Sequence, residues 1–222
     1  MTKLSTSETL HDGDWSGKKA DESFFHNSPR YPFLAKLVVA LKPTRLFDLG
    51  CGSGYLVSLV RNEVPGLLAH GSDISRVALD RAARQLDQVW QVDIDHADLP
   101  VSASDYDVVT CVEVLEHIYD VAHALAEIHR ILRPGGTAVL TVPNLAYWRY
   151  RIDLMRGSVP GPAADQRHLH QFDRRILEDA ARFAGLAPIG TEGFRLRMGS
   201  LARWKPELFS DILVTVARKE AS

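Results

Sequence analysis

From Arg45 to Pro143 the chain alternates short apolar runs with helix-patterned segments, and that alternation limits the fold more than any other feature. Arg45 to Gly50 (RLFDLG), Leu67 to Asp73 (LLAHGSD), Gln88 to Ile94 (QVWQVDI), Tyr106 to Val114 (YDVVTCVEV) and Thr137 to Pro143 (TAVLTVP) read as strands. Between them, Ser53 to Glu63, Ser75 to Leu86 and Asp120 to Leu132 have helical spacing, the first stopped by Pro65 and Gly66. Ser75 stands where an N-cap hydroxyl is wanted. Several strands are apolar without alternation, as strands are when helices cover both faces of a parallel sheet. After Pro143 the pattern changes. Asn144 to Arg156 reads as an amphipathic helix, Gly157 to Gln171 as a loop, and Arg174 to Ala184 as a helix ending at Gly185. Leu186 to Phe194 and Ser210 to Lys219 read as two closing strands joined by a loop, hence an antiparallel hairpin. The expectation is a doubly wound, mostly parallel, seven-stranded α/β sheet.

The remaining 30 or so residues at the start are polar, yet carry Trp15, Phe24 and Phe25. Aromatics are scarce in disordered tails, so residues 1–30 read as an arm or lid that folds over a site. Residues 31–222 then form one domain, within which 145–172 is a helix-and-loop insertion. The formal charge is −2, with Lys and Arg scattered. That predicts no DNA footprint and makes RNA an improbable partner. No apolar run is long enough to span a membrane. The start lacks the apolar core of a secretory signal, so the cytoplasm is the expected compartment. Cys51 and Cys111 have no spacing that suggests zinc or a disulfide framework.

The chemistry concentrates where strands end. Asp48-Leu49-Gly50-Cys51-Gly52-Ser53-Gly54 closes the first strand. Glycines there let backbone amides approach a ligand, and the next helix start favours an anionic group. Asp73 closes the second strand beside this turn, and its carboxylate suits a pair of ribose hydroxyls. A dinucleotide fingerprint requires G-x-G-x-x-G, whereas Tyr55 occupies the third glycine position counted from Gly50. A nicotinamide oxidoreductase is disfavoured on that count.

Five segments in order resemble the class I S-adenosylmethionine (SAM)-dependent methyltransferases. They are Phe47–Leu56, Gly71–Ser75, Asp95–Pro100, Tyr106–Ile118 and Leu132–Asn144. The resemblance implies a Rossmann-like sheet, SAM as cofactor and S-adenosylhomocysteine as product. It implies that Gly50, Cys51, Gly52 and Gly54 line the methionine moiety, with Asp48 near the ammonium. Asp73 would hold the ribose and Ile74 would pack on adenine. Asp95 and the backbone of His96 would meet the adenine edge, with Asp93 a competitor for that role. The Cys111 carbonyl would meet the ammonium or line the methyl channel, and Arg30 or His26 could reach the carboxylate.

The sulfonium of SAM carries the activation, so the protein has to align an acceptor and, for a hydroxyl, remove a proton. His117 is the candidate base, with Glu113 and His168 as catalytic partners. The string Glu113-x-x-Glu116-His117 also resembles the metal-assisted sites of ubiquinone-biosynthesis O-methyltransferases and of small-RNA ribose 2′-O-methyltransferases. Two carboxylates, His117 and a distal His168 or His170 could bind a divalent ion; capping and orienting roles remain open beside it. Tyr147, Trp148, Arg151, His168 and His170 are candidate acceptor-pocket residues. Val142 to Pro160 is similar to MetW-like proteins, although this chain has a long arm and lacks their acidic start. The expected function is methyl transfer to a small molecule, at oxygen before nitrogen or carbon; the alternative is a non-catalytic SAM-binding partner.

Overall fold

The computed structural model describes residues 6–16, 28–194 and 204–221. Seven strands form one sheet in the order β3-β2-β1-β4-β5-β7-β6. These are β1 (Arg45–Leu49), β2 (Leu68–Asp73), β3 (Gln88–Gln91), β4 (Tyr106–Val112), β5 (Leu132–Pro143), β6 (Leu186–Phe194) and β7 (Ile212–Lys219). The described helices are α1 (Thr6–Ser16), α2 (Arg30–Ala40), α3 (Tyr55–Glu63), α4 (Arg76–Ala82), α5 (Val121–Ile131), α6 (Trp148–Met155), α7 (Gly161–Ala164), α8 (Arg174–Phe183) and α9 (Pro206–Phe209). β1 to β5 are parallel, and β7 runs antiparallel between β5 and β6. The expected doubly wound sheet and its antiparallel close are both present.

Neighbouring residues along each central strand serve opposite faces. Phe47, Val109, Ala138 and Leu213 pack with Leu125, Ile128 and Ile131 of α5 and Leu177 of α8. Leu46, Val108, Val139 and Val214 pack with Leu34 and Val38 of α2 and Leu56, Val57 and Val60 of α3. That is why these strands lack alternation: each residue of a sheet covered on both sides needs an apolar side chain. Each fully buried Leu or Ile in these clusters contributes about 1.5–3 kcal/mol.

Local chemistry sets the ends of the elements. Ser75, Asp120 and Asp173 cap α4, α5 and α8, each accepting from the amide three residues on. α3 starts two residues later than the sequence suggests, because Gly54 caps it with φ +77°. A side chain at 54 would put Cβ 2.6 Å from Leu86 Cδ1 and 3.0 Å from Gln85 Cβ. Gly54→Ala is therefore expected to cost ~2 kcal/mol or more, from left-handed backbone plus overpacking, measured by denaturant unfolding. α6 also starts later than expected, at Trp148 rather than Asn144. Asn144 is fully buried, pairs with Phe172 as an isolated bridge, and donates through Nδ2 to the carbonyl of Ser210 at 2.7 Å. Those bonds fix it outside a helix and pin both ends of the 145–172 insertion beside the strand ends. β5 starts earlier than expected, Leu132 pairing with Tyr106 before a register shift.

The strand order changes direction between β1 and β4. In open α/β sheets ligands bind at such switch points, outside the carboxyl ends of the strands.

Candidate active site

A cavity of about 320 Å³ lies at that switch point. One half is built by the exits of β1, β2 and β3. Gly50 N and Cys51 N donate to Ser72 O at 2.8 and 2.9 Å, hooking the glycine turn over the end of β2. Asp73 Oδ2 accepts from Gly52 N and Oδ1 from Ser75 N, both at 2.9 Å. One carboxylate thus ties the turn to the start of α4 while lining the cavity with Ile74, Val92 and Asp93.

Asp48 is buried, 3% exposed, and accepts from Thr110 Oγ1 at 2.6 Å. Burial pushes its carboxyl up to about 7; the Thr110 hydroxyl opposes the shift and the nearby Asp73 adds to it. A group whose folded value is raised loses its stabilising contribution as pH rises through that value. The ligand-free protein is therefore expected to lose stability from the ordinary carboxylate range up to about pH 7. Asp48→Asn should flatten that dependence in unfolding curves taken across this range.

The other half is built by the exit of β4 and the 145–172 insertion. Glu113 leaves β4 with φ +54°. Its Oε2 meets Arg30 Nη1 at 2.9 Å and its Oε1 accepts from Thr141 Oγ1 at 3.1 Å. Burial raises the Glu113 carboxyl, with the Arg30 guanidinium opposing. Beyond it, Glu116, His117 and His168 come together, one ligand atom of each lying within 4.8 Å of the others. The Glu116 carbonyl accepts from Leu169 N at 2.7 Å, and this holds the insertion against the β4 exit. His117 Nδ1 donates to Arg167 O at 3.0 Å, and His168 Nδ1 donates to Pro162 O at 2.9 Å. A carbonyl can only accept, so Nδ1 is the donor in both rings, and His168 Nε2 stands 3.9 Å from Asp165 Oδ2.

Several residues singled out from the sequence lie elsewhere. Gly54 is absent from the cavity lining, and its task is helix packing. Cys111 is fully buried in the core; Val112 and Glu113, one and two residues on, reach the cavity. His96 does not line it either: its amide closes the turn onto Asp93 O, and its side chain is 77% exposed beside Asp93. Asp95 does line the cavity, but its Oδ1 accepts from Tyr119 N and Asp120 N, bracing the start of α5. Glu113 faces Arg30 and Thr141, and Glu116 takes the place expected of it beside the histidines. His170 turns away to the Tyr119 carbonyl, while Tyr147 is buried against Trp148 and Tyr150. Arg151 bonds the Ala146 carbonyl, and it, Tyr147 and Trp148 are outside the lining. Phe24, Phe25 and His26 lie outside the described residues.

The sequence reading passed over His11, which lines the cavity together with Trp15, Tyr31 and Tyr55. Its spacing of four from Trp15 was a signal for one helix face.

A family model described as a methyltransferase domain matches residues 24–190. A ubiquinone biosynthesis O-methyltransferase of Alkalilimnicola ehrlichii is 28% identical over 128 residues, covering 53% of this chain and 49% of that protein. The chain thus spans about half the length of that relative. A ubiquinone/menaquinone biosynthesis C-methyltransferase of Desulfotalea psychrophila is 29% identical over 171 residues, covering 68% of this chain and 69% of that one. Among solved structures, the 1,6-didemethyltoxoflavin-N1-methyltransferase of Burkholderia thailandensis, with 1,6-didemethyltoxoflavin and S-adenosylhomocysteine bound, superposes with a TM-score of 0.67. It is 17% identical and covers 99% of this chain and 92% of its own, a likeness of fold.

Proposed function

Because this chain belongs to the class I SAM-dependent methyltransferase family, we propose that it transfers the methyl group of SAM to a hydroxyl of a small molecule. The observation that carries this reading is the continuity of the cavity. It runs from the Gly50–Ser53 turn and Asp73 to Glu116, His117 and His168. A protein that only bound SAM would have no use for two oriented imidazoles at the far end.

The cofactor fits the chain's own groups. Asp48 is a buried carboxylate whose strongest neighbour is a hydroxyl, and the methionine ammonium would favour its charged form. Asp73 would accept the ribose hydroxyls, Ile74 would pack on adenine, and the second oxygen of Asp95 would meet the adenine amino group. Arg30, held by Glu113, would meet the carboxylate. Bound SAM supplies a methyl group already activated on sulfur. The chain's work is then to orient the acceptor, exclude water and take the hydroxyl proton.

His117 Nε2 is the atom we assign to that proton. The paired geometry also supports a second form that excludes the first, in which Nε2 ligates a divalent ion instead of taking the proton. Two imidazoles fixed by Nδ1–H to backbone carbonyls, with a carboxylate close by, are how proteins hold a divalent ion. Glu116, His117 and His168 would be its ligands, and the ion would make the acceptor hydroxyl more acidic. Oxygen is preferred because a hydroxyl needs such help, whereas a neutral amine does not.

Calorimetric titration should show SAM binding and no NAD binding; the reverse would sink the assignment. A screen of phenolic, catecholic and aliphatic hydroxyl acceptors, read by S-adenosylhomocysteine release, tests the acceptor class. Turnover confined to amines or carbon acids would reject it.

A further inference from the structure

Helix α1 touches both halves of the cavity with one face. Trp15 is 4% exposed and lies against Gly52 in the glycine turn, so close that a Cβ there would stand 2.6 Å from Trp15 Cζ2. One helical turn earlier, the His11 ring stands edge-on to His117, with centroids 6.2 Å apart. His11 and Trp15 both line the cavity, so whatever fills it lies beneath α1.

The helix is fastened on its flank. Asp12 Oδ1 accepts from Ser75 Oγ at 2.5 Å and, more weakly, from Val77 N at 3.4 Å. Arg81 Nη2 donates to the Trp15 carbonyl at 3.2 Å, and its guanidinium lies over the Trp15 ring. These anchors belong to α4 and its cap. Ser75 is fully buried, and its own amide donates to Asp73 Oδ1. The latch of α1 is therefore joined directly to the carboxylate assigned to the cofactor ribose.

We propose that α1 is a cofactor-coupled roof, latched by Asp12, whose docking carries His11 to the acceptor side of the Glu116–His117–His168 cluster. The proposal rests on the cavity being the SAM site. His11 then acts as a positioning residue for the acceptor, present only when the roof is down. Coupling of this kind is reciprocal: whatever holds α1 down slows cofactor escape, and bound cofactor holds α1 down.

The test is displacement of bound S-adenosylhomocysteine in stopped flow, with Asp12→Ala and Asp12→Asn beside wild type. Loss of a charge-assisted hydrogen bond should make dissociation from Asp12→Ala at least about ten-fold faster. Asp12→Asn keeps an acceptor oxygen but not the charge, and should fall between wild type and Asp12→Ala. Amides of residues 6–16 should gain hydrogen-exchange protection on loading in wild type and gain none in Asp12→Ala. In loaded protein, the imidazole resonances of His117 should differ between wild type and His11→Ala, and Asp12→Ala should reproduce that difference. Dissociation from Asp12→Ala at the wild-type rate, or a His117 signal indifferent to both substitutions, would overturn the roof. Failure of wild type to bind S-adenosylhomocysteine would overturn the cofactor reading first, and the roof with it.

Discussion

His117→Ala lowers the rate of methyl transfer by roughly 10²–10⁴-fold, the span of a lost general base, and leaves SAM affinity near wild type. The separation follows from where the residue stands. His117 is at the β4 exit, paired through Nδ1 with Arg167 O and facing His168 at 4.8 Å between ring centroids. The groups assigned to the cofactor, Asp48, Asp73 and the glycine turn, are held by Thr110, Ser75 and Ser72. Two companion measurements separate the forms of the mechanism. If an ion is held, His168→Ala and Glu116→Gln should each lose activity on the same scale as His117→Ala, because ligands act as a unit. A chelator should then silence wild type, and added divalent metal should restore it. If His117 works alone, His168→Ala should retain most activity and the chelator should do nothing. Full activity in His117→Ala would remove the residue from the chemistry altogether.

Most of the fold was legible because the sheet writes itself into the sequence. Strands covered on both faces must be apolar at every position, and Leu46-Phe47 and Val108-Val109 show why: adjacent side chains enter different cores. The turn at Gly50 to Gly54 was legible for a similar reason, since crowding by Val114, Trp15 and Leu86 leaves little room for a side chain at 50, 52 or 54. What could not be read was which of those glycines faces a ligand. Gly54 satisfies a helix contact and Gly52 a roof contact, and both demands select the same residue. The E-x-x-E-H string was visible, but not the choice between its carboxylates. That choice depends on the left-handed turn at Glu113, which sends its side chain to Arg30 and leaves Glu116 to the histidines. The choice between the two histidines of the insertion was hidden for a related reason. His168 and His170, two residues apart, were equal candidates, yet the first bonds Pro162 O beside His117 and the second bonds Tyr119 O. The arm was harder still. Its helix depends on Asp12 finding Ser75, a contact 63 residues apart that no local pattern announces.

Asp73→Ala should weaken SAM binding by roughly 10²–10³-fold, the loss of two hydrogen bonds to an ionised acceptor at about 1.5–3 kcal/mol each, taken with partial compensation by water. The argument has a second part, because Asp73 is also the tie between Gly52 N and Ser75 N. Removing it leaves both amides without that acceptor, so the turn and the α4 cap should loosen together. The apo protein should unfold at a lower denaturant concentration, by about 1–3 kcal/mol if those amides find no water. Asp73→Asn separates the two effects. Its amide oxygen can still accept from one backbone N–H, and its NH₂ cannot accept from a ribose hydroxyl. It should therefore recover part of the stability while remaining well below wild type in SAM affinity. Titration calorimetry supplies the affinity and denaturant unfolding the stability, on the same three proteins. If affinity and stability fall in strict proportion across the series, Asp73 serves the fold alone. If SAM affinity is unchanged in Asp73→Ala, the ribose assignment is wrong. The cofactor would then have to lie along the Asp93–Asp95 side of the cavity, away from the end of β2.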